Sequence, residues 1–91
     1  MDDLIQRSKG KILQLAEQRG ICHVRLFGSM ARDEDSDVDL LVDLEPGSSG
    51  FALGGFLMDV SELLGRKVDV VTEKALHPRI RGAVLREAQP L

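Results

Sequence analysis

Asp37-Val38-Asp39-Leu40-Leu41-Val42 is the stretch that decides how this chain folds. Val38, Leu40 and Val42 alternate with Asp37 and Asp39, the period-two pattern of a β-strand. Successive side chains on a strand point to opposite faces, so both carboxylates emerge on one face, about 7 Å apart along the strand. Like charges that close on a half-buried strand repel, and folding does not favour them unless cations sit between them. The residues around them reinforce the point: seven acidic residues and no basic ones fall between Asp33 and Glu45. Hard oxygen donors at this spacing point to a divalent metal, magnesium in particular.

Ninety-one residues lead to the expectation of one small domain over residues 1–91. A hydrophobic fraction of 43% and a charged fraction of 30% suit a globular protein. There is no Trp or Tyr, and the net charge is −3. Base stacking and general nucleic-acid binding are therefore not expected. The single Cys22 cannot form an internal disulfide, which fits a reducing, cytoplasmic setting, and it reads as a small buried hydrophobe. Neither a membrane span nor a signal peptide is expected. Basic charge collects late in the chain, at Arg66, Lys67, Lys74, Arg79, Arg81 and Arg86, against Asp69, Glu73 and Glu87.

The apolar periodicity predicts a helix over Asp2–Arg19, with Leu4, Ile5, Ile12, Leu15 and Ala16 on its inner face and Gly20 as its stop. Strands are expected at His23–Phe27, Asp37–Leu44 and Lys67–Val71. A helix over Phe51–Leu64 buries Phe56, Leu57, Val60, Leu63 and Leu64, and a last helix opens at Pro78 and carries Ile80, Ala83 and Val84. This order implies an α/β (α+β) two-layer domain, a small mixed sheet of three or slightly more strands flanked by helices. The crossover through Phe51–Leu64 is long enough for the second and third strands to run parallel. The Phe residues, Met30 and Met58 are expected in the core. His23 and His77 lack zinc spacing and read as structural or surface residues. Gly54-Gly55 reads as an ordinary helix start.

In the third strand Val68 and Val70 alternate with Asp69. If the valines face the core, pairing of the strands puts Asp37, Asp39 and Asp69 on one sheet face. Gly28-Ser29 follows the first strand, where glycine permits close backbone approach and Ser29 offers a hydroxyl and an amide donor. A helical turn beginning there would favour an anion. A phosphate cradle beside three carboxylates describes phosphoryl or nucleotidyl transfer by two metal ions.

Three segments carry a more specific likeness: Leu26-Phe27-Gly28-Ser29-Met30-Ala31-Arg32, Ser36-Asp37-Val38-Asp39-Leu40-Leu41-Val42, and Gly65-Arg66-Lys67-Val68-Asp69-Val70-Val71-Thr72. Together with Leu76-His77-Pro78-Arg79-Ile80, the chain resembles the minimal nucleotidyltransferases of the DNA polymerase beta superfamily. The resemblance implies that Gly28 and Ser29 hold a nucleoside triphosphate with Arg32 near its phosphates. It also implies that Asp37 and Asp39 bind both magnesium ions, and that Asp69 binds one and helps activate the attacking hydroxyl. The segment between Ser29 and Asp37 is shorter than in that family, and Asp33 follows Arg32 where a glycine is often found.

A chain of this size is expected to lack a substrate-binding domain and to borrow its acceptor from another protein. The minimal nucleotidyltransferases resembled here include antitoxins that transfer AMP from ATP to a tyrosine of a HEPN-domain ribonuclease toxin, and that is the expected function. The alternative is a non-catalytic module that silences its partner by docking alone. The three acids favour chemistry, and the altered loop with Asp33 favours docking. Arg79 and Arg86, seven apart on the last helix, are expected to share a partner-facing surface. Self-association is left open by the sequence.

Overall fold

Burial of both faces of one central strand organises this molecule. The computed structural model describes residues 3–27 and 38–91. Val38–Leu44 forms a strand, β2, whose first five residues are all buried. Its neighbours are Ile21–Leu26, β1, which pairs with it antiparallel, and Val68–Thr72, β3, which pairs with it parallel. A two-residue strand Gln89–Pro90, β4, adds to the far side of β1, so the order is β3-β2-β1-β4. The helices are Asp3–Gln18, α1, Phe51–Leu64, α2, and Pro78–Glu87, α3. The expected parallel crossover is present: α2 joins β2 to β3. The expected elements sit within a residue or two of their predicted bounds, and α2 matches at both ends. The short strand β4 and a 3₁₀ turn at Glu73–Ala75 carry no periodicity by which they could be read in advance.

One core lies between the sheet and helices α1 and α2. It joins Ile5, Ile12 and Ala16 to Val24, Val38, Leu40, Val42 and Val68, and to Phe56, Val60 and Leu64. A smaller core lies on the opposite face, where Phe27 and Leu41 meet Leu76 and Val84, with Val71, Ile80 and Ala88 packed against them. The domain therefore has three layers rather than the expected two. The reason is visible in the doublets Leu40-Leu41 and Val70-Val71: each offers one apolar side chain to each face, and α3 covers the second. His77 fixes the start of that helix by accepting the Arg79 amide on its Nδ1 at 3.1 Å, and Pro78 supplies the first-turn geometry.

Helix α2 ends where Gly65 takes a left-handed conformation at φ 63° and donates its amide to the Ser61 carbonyl. Nearer its start, a side chain at Gly55 would overlap the Arg19 guanidinium, which lies across that position and pairs with Asp59 at 2.6 Å. Gly55 thus makes room for the arginine that follows α1, whereas Gly54 faces open space. Phe27 and Phe56 are buried as expected, whereas Phe51 and Met58 are 90% and 64% exposed. They are seven residues apart and stand on the face of α2 turned away from Phe56, Val60 and Leu64. Among the described residues no helix is long and apolar enough to cross a membrane.

Two-sided burial of β2 has a direct test. Leu40 and Leu41 are both fully buried, one in each core. Leu40→Ala and Leu41→Ala should each cost about 2–5 kcal/mol in urea denaturation. A Leu41→Ala variant as stable as the wild type would contradict the second core.

Candidate active site

The parallel ladder between β2 and β3 sets Val38 beside Val68, Asp39 beside Asp69 and Leu40 beside Val70. Residues at paired positions share a sheet face, so Asp39 and Asp69 stand side by side on neighbouring strands, which run about 4.8 Å apart. Asp39 is only 3% exposed, and Asp69 is half-buried. The face they occupy is the one carrying Leu41, Val71 and Phe27, so it is covered by α3 in its middle and not open throughout. Asp39 is deeper than a half-buried strand would leave it. It is the one buried charged residue among those described. Taking a carboxylate out of water is costly, and the cost has to be offset by partners or a cation.

The first strand closes the other side. The Phe27 amide donates to the Asp39 carbonyl at 3.2 Å, and the chain re-enters the described region at Val38. Gly28 and Ser29 thus follow directly on a residue bonded to Asp39. Gly28, Ser29, Arg32 and Asp37, with Met30 and Asp33, lie outside the described residues. Of the six predicted site residues the structure therefore brings together Asp39 and Asp69. Among the described residues no three His, Cys, Asp or Glu side chains cluster as metal ligands. Lys67, to which the sequence pattern assigned no role, neighbours the site. Its carbonyl accepts the Val38 amide at 3.2 Å, and strand alternation places it two residues from Asp69 on the same face. The alternation of Lys67, Asp69 and Val71 contained that signal.

A second charged group occupies the other end of this face. Asp43 receives His23 Nδ1 at 2.9 Å and Arg25 Nη2 at 3.2 Å, and Arg25 approaches Glu73 at 4.0 Å. His23 sits at φ 51° in a bulge where the β1–β2 register shifts between Cys22 and Arg25. A surface cavity of about 390 Å³ opens here, lined by Asp43, Leu44, Thr72, Glu73 and Lys74. It lies at the C-terminal ends of β2 and β3, with the Leu41–Val71 layer between it and Asp39. These carboxylates have cationic partners and hold the bulge. Asp43 is about one-third exposed, so Asp43→Asn should cost about 1 kcal/mol or less, with the difference shrinking in high salt. A loss as large as that of a core truncation would show that the bulge depends on this charge.

Comparison with known proteins gives this geometry a family. The nucleotidyltransferase domain family matches residues 9–91. A Methanocaldococcus jannaschii protein named as a protein adenylyltransferase is 36% identical over 87 residues, covering 92% of this chain and 94% of that protein. The protein adenylyltransferase MntA of Thermococcus cleftensis is 39% identical over 77 residues, covering 81% and 78%. A solved structure described as a minimal nucleotidyltransferase superposes with a TM-score of 0.81 at 41% identity, covering all of this chain (100%) and 97% of that one. A toxin–antitoxin structure solved with AMP-PNP shares the fold at a TM-score of 0.66 and 20% identity, over 90% of this chain and 70% of its own. A sheet that sets Asp39 against Asp69 on one face thus occurs in a chain that belongs to the nucleotidyltransferase-domain family, as a minimal nucleotidyltransferase.

Proposed function

We propose that this protein is a magnesium-dependent protein adenylyltransferase that moves AMP from ATP onto a hydroxyl of a partner protein and thereby acts as an antitoxin. The observation that carries the reading is the register pair Asp39–Asp69, with Asp39 withdrawn from solvent. The donor set fits magnesium: both groups are hard carboxylates, and among the described residues neither is joined by a His or Cys in a metal-binding cluster. Asp37, Asp39 and Asp69 would hold two ions. Magnesium bound there neutralises triphosphate charge and lowers the cost of deprotonating the attacking hydroxyl.

The chain's own groups have separable tasks. Gly28 and Ser29 follow β1 at the Asp39 end and cradle the triphosphate, with Arg32 beside it. Asp69 stands on β3 beside Asp39 and faces the acceptor. In the transfer the acceptor oxygen bonds to the α-phosphorus and the bond from that phosphorus to the oxygen bridging the β-phosphate breaks. Pyrophosphate leaves, and the acceptor proton passes to an Asp69 carboxylate oxygen and on to water. Positioning and charge neutralisation supply most of the acceleration. The names of the relatives support a protein acceptor, and the toxin–antitoxin neighbour supports a toxin as partner. The likeness of the motifs to minimal nucleotidyltransferase antitoxins favours a HEPN-domain ribonuclease and a tyrosine hydroxyl. Arg79, Arg81 and Arg86 are exposed on α3, the helix that covers the acidic face, and suit an acidic partner surface.

Magnesium with ATP should raise the melting temperature. Ligand at 100 times Kd adds about 2.7 kcal/mol, and in a domain of this size each kcal/mol moves Tm by about 4–8 °C. Asp39→Asn should remove most of that rise, and a melting curve indifferent to metal and nucleotide in the wild type would sink the reading.

Ser29→Ala should weaken ATP binding measured by calorimetry, whereas Asp69→Asn should retain binding and stop transfer of label from α-³²P-ATP to the partner. Equal loss of binding in both variants would overturn this division of roles. A partner that is silenced without acquiring label would instead establish neutralisation by docking.

A further inference from the structure

The sheet order leaves β3 at an edge: β2 pairs with one side of it, and no described strand pairs with the other. The direction of its free backbone groups follows from one bond. The Lys67 carbonyl points to β2, because it accepts the Val38 amide. Along a strand the amide and carbonyl of one residue point to the same side, and those of the next residue to the other. Lys67, Asp69 and Val71 therefore bond inward to β2, and Val68, Val70 and Thr72 present their amides and carbonyls to the outer edge. A flat edge with free donors and acceptors is a template for one more strand, and natural proteins usually blunt such edges. Neither a proline nor a described bulge interrupts this one.

Charge selects the occupant. Arg66 and Lys67 stand at the entry to β3 and Lys74 just beyond its exit, all exposed. Of the acids at the exit, Asp43 and Glu73 line the same cavity as Lys74, and both approach Arg25. An added segment would run between these basic ends. Its residue opposite Asp69 would lie on the same face as Asp69, within reach of the acceptor side of the site.

We propose that the free edge of β3 is the acceptor-docking rail: an extended, acidic segment of the partner protein adds to it as a strand and presents its hydroxyl residue beside Asp69. This inference rests on the nucleotidyl-transfer reading and extends it to how the acceptor is held. Main-chain bonds would supply affinity, and the basic ends would supply the preference for acidic sequence.

The test uses a synthetic peptide in which a central tyrosine is flanked by alternating valine and glutamate, with a control carrying lysine for glutamate. Amide hydrogen exchange at Val68, Val70 and Thr72 is followed by NMR in the full chain. The acidic peptide should slow these three amides at least tenfold and the lysine peptide should not. Val70→Pro deletes an outward amide that β2 does not use, as edge strands tolerate. It should weaken peptide binding at least tenfold while ATP binding persists. Arg66→Glu with Lys74→Glu leaves the strand itself intact and should weaken binding to a similar degree. Absent protection, or equal protection by both peptides, overturns the proposal, as does undiminished binding by Val70→Pro and by the charge-reversed variant together. Protection of the edge without label transfer from ATP upholds the docking rail and removes the transferase reading. Label transfer with unprotected edge amides does the reverse.

Discussion

The parallel ladder joining β2 to β3 is the constraint on which the other features hang. It fixes the register in which Asp39 meets Asp69. A slip by one residue would turn Asp39 into the larger core beside Ile12, Phe56 and Val60, and would turn Leu40 and Val42 onto the acidic face. Each strand is therefore locked by the apolar residues it buries on both faces, which holds its acids to one of them. Helix α2 is the connection that makes the parallel pairing feasible, and its Gly65 stop delivers the chain to Val68 at the correct end of the sheet. The burial of Asp39 opposes folding unless it is compensated, which is how structure and ligand binding become coupled at this position.

The acidic face has two ends with different electrostatics. At one end Asp43 is met by His23 and Arg25, and Arg25 also approaches Glu73. Charges matched by fixed side-chain cations hold a bulged strand in shape. At the other end Asp39 and Asp69 are neighbours of like sign, an arrangement suited to a mobile cation brought by a substrate. Leu41, Val71 and α3 separate the two. The same sheet can then be rigid at its base and ligand-dependent at its mouth. Arg66 and Lys67 enter β3 at the Asp69 end, whereas Lys74 lines the cavity at the Asp43 end.

Much of this was legible in the chain itself. Alternation around Asp37 and Asp39 located β2, the same alternation at Val68-Asp69-Val70 located β3, and the length between them implied a parallel pair. The depth of Asp39 was not legible, because alternation gives the face a residue takes and not what covers that face. The doublets Leu40-Leu41 and Val70-Val71 held the clue, since a one-sided strand has no use for the second apolar residue. Phe51 and Met58 misled in the opposite sense: hydrophobic type suggests the core, but their angular position on α2 points them outward. β4 is two residues long and depends wholly on its partner β1, so local sequence carries no signal for it.

The central claim is that the mouth of the acidic face, and not its base, binds the metal that serves ATP. Titration of Mn²⁺ with ATP into isotopically labelled protein, followed by paramagnetic broadening of backbone amides, tests it most directly. Phe27, Val38, Asp39 and Asp69 should broaden first while His23, Asp43 and Glu73 persist, and Asp39→Asn should abolish the selectivity. Broadening centred on Asp43 and Glu73, or spread evenly over the acidic residues, would contradict it.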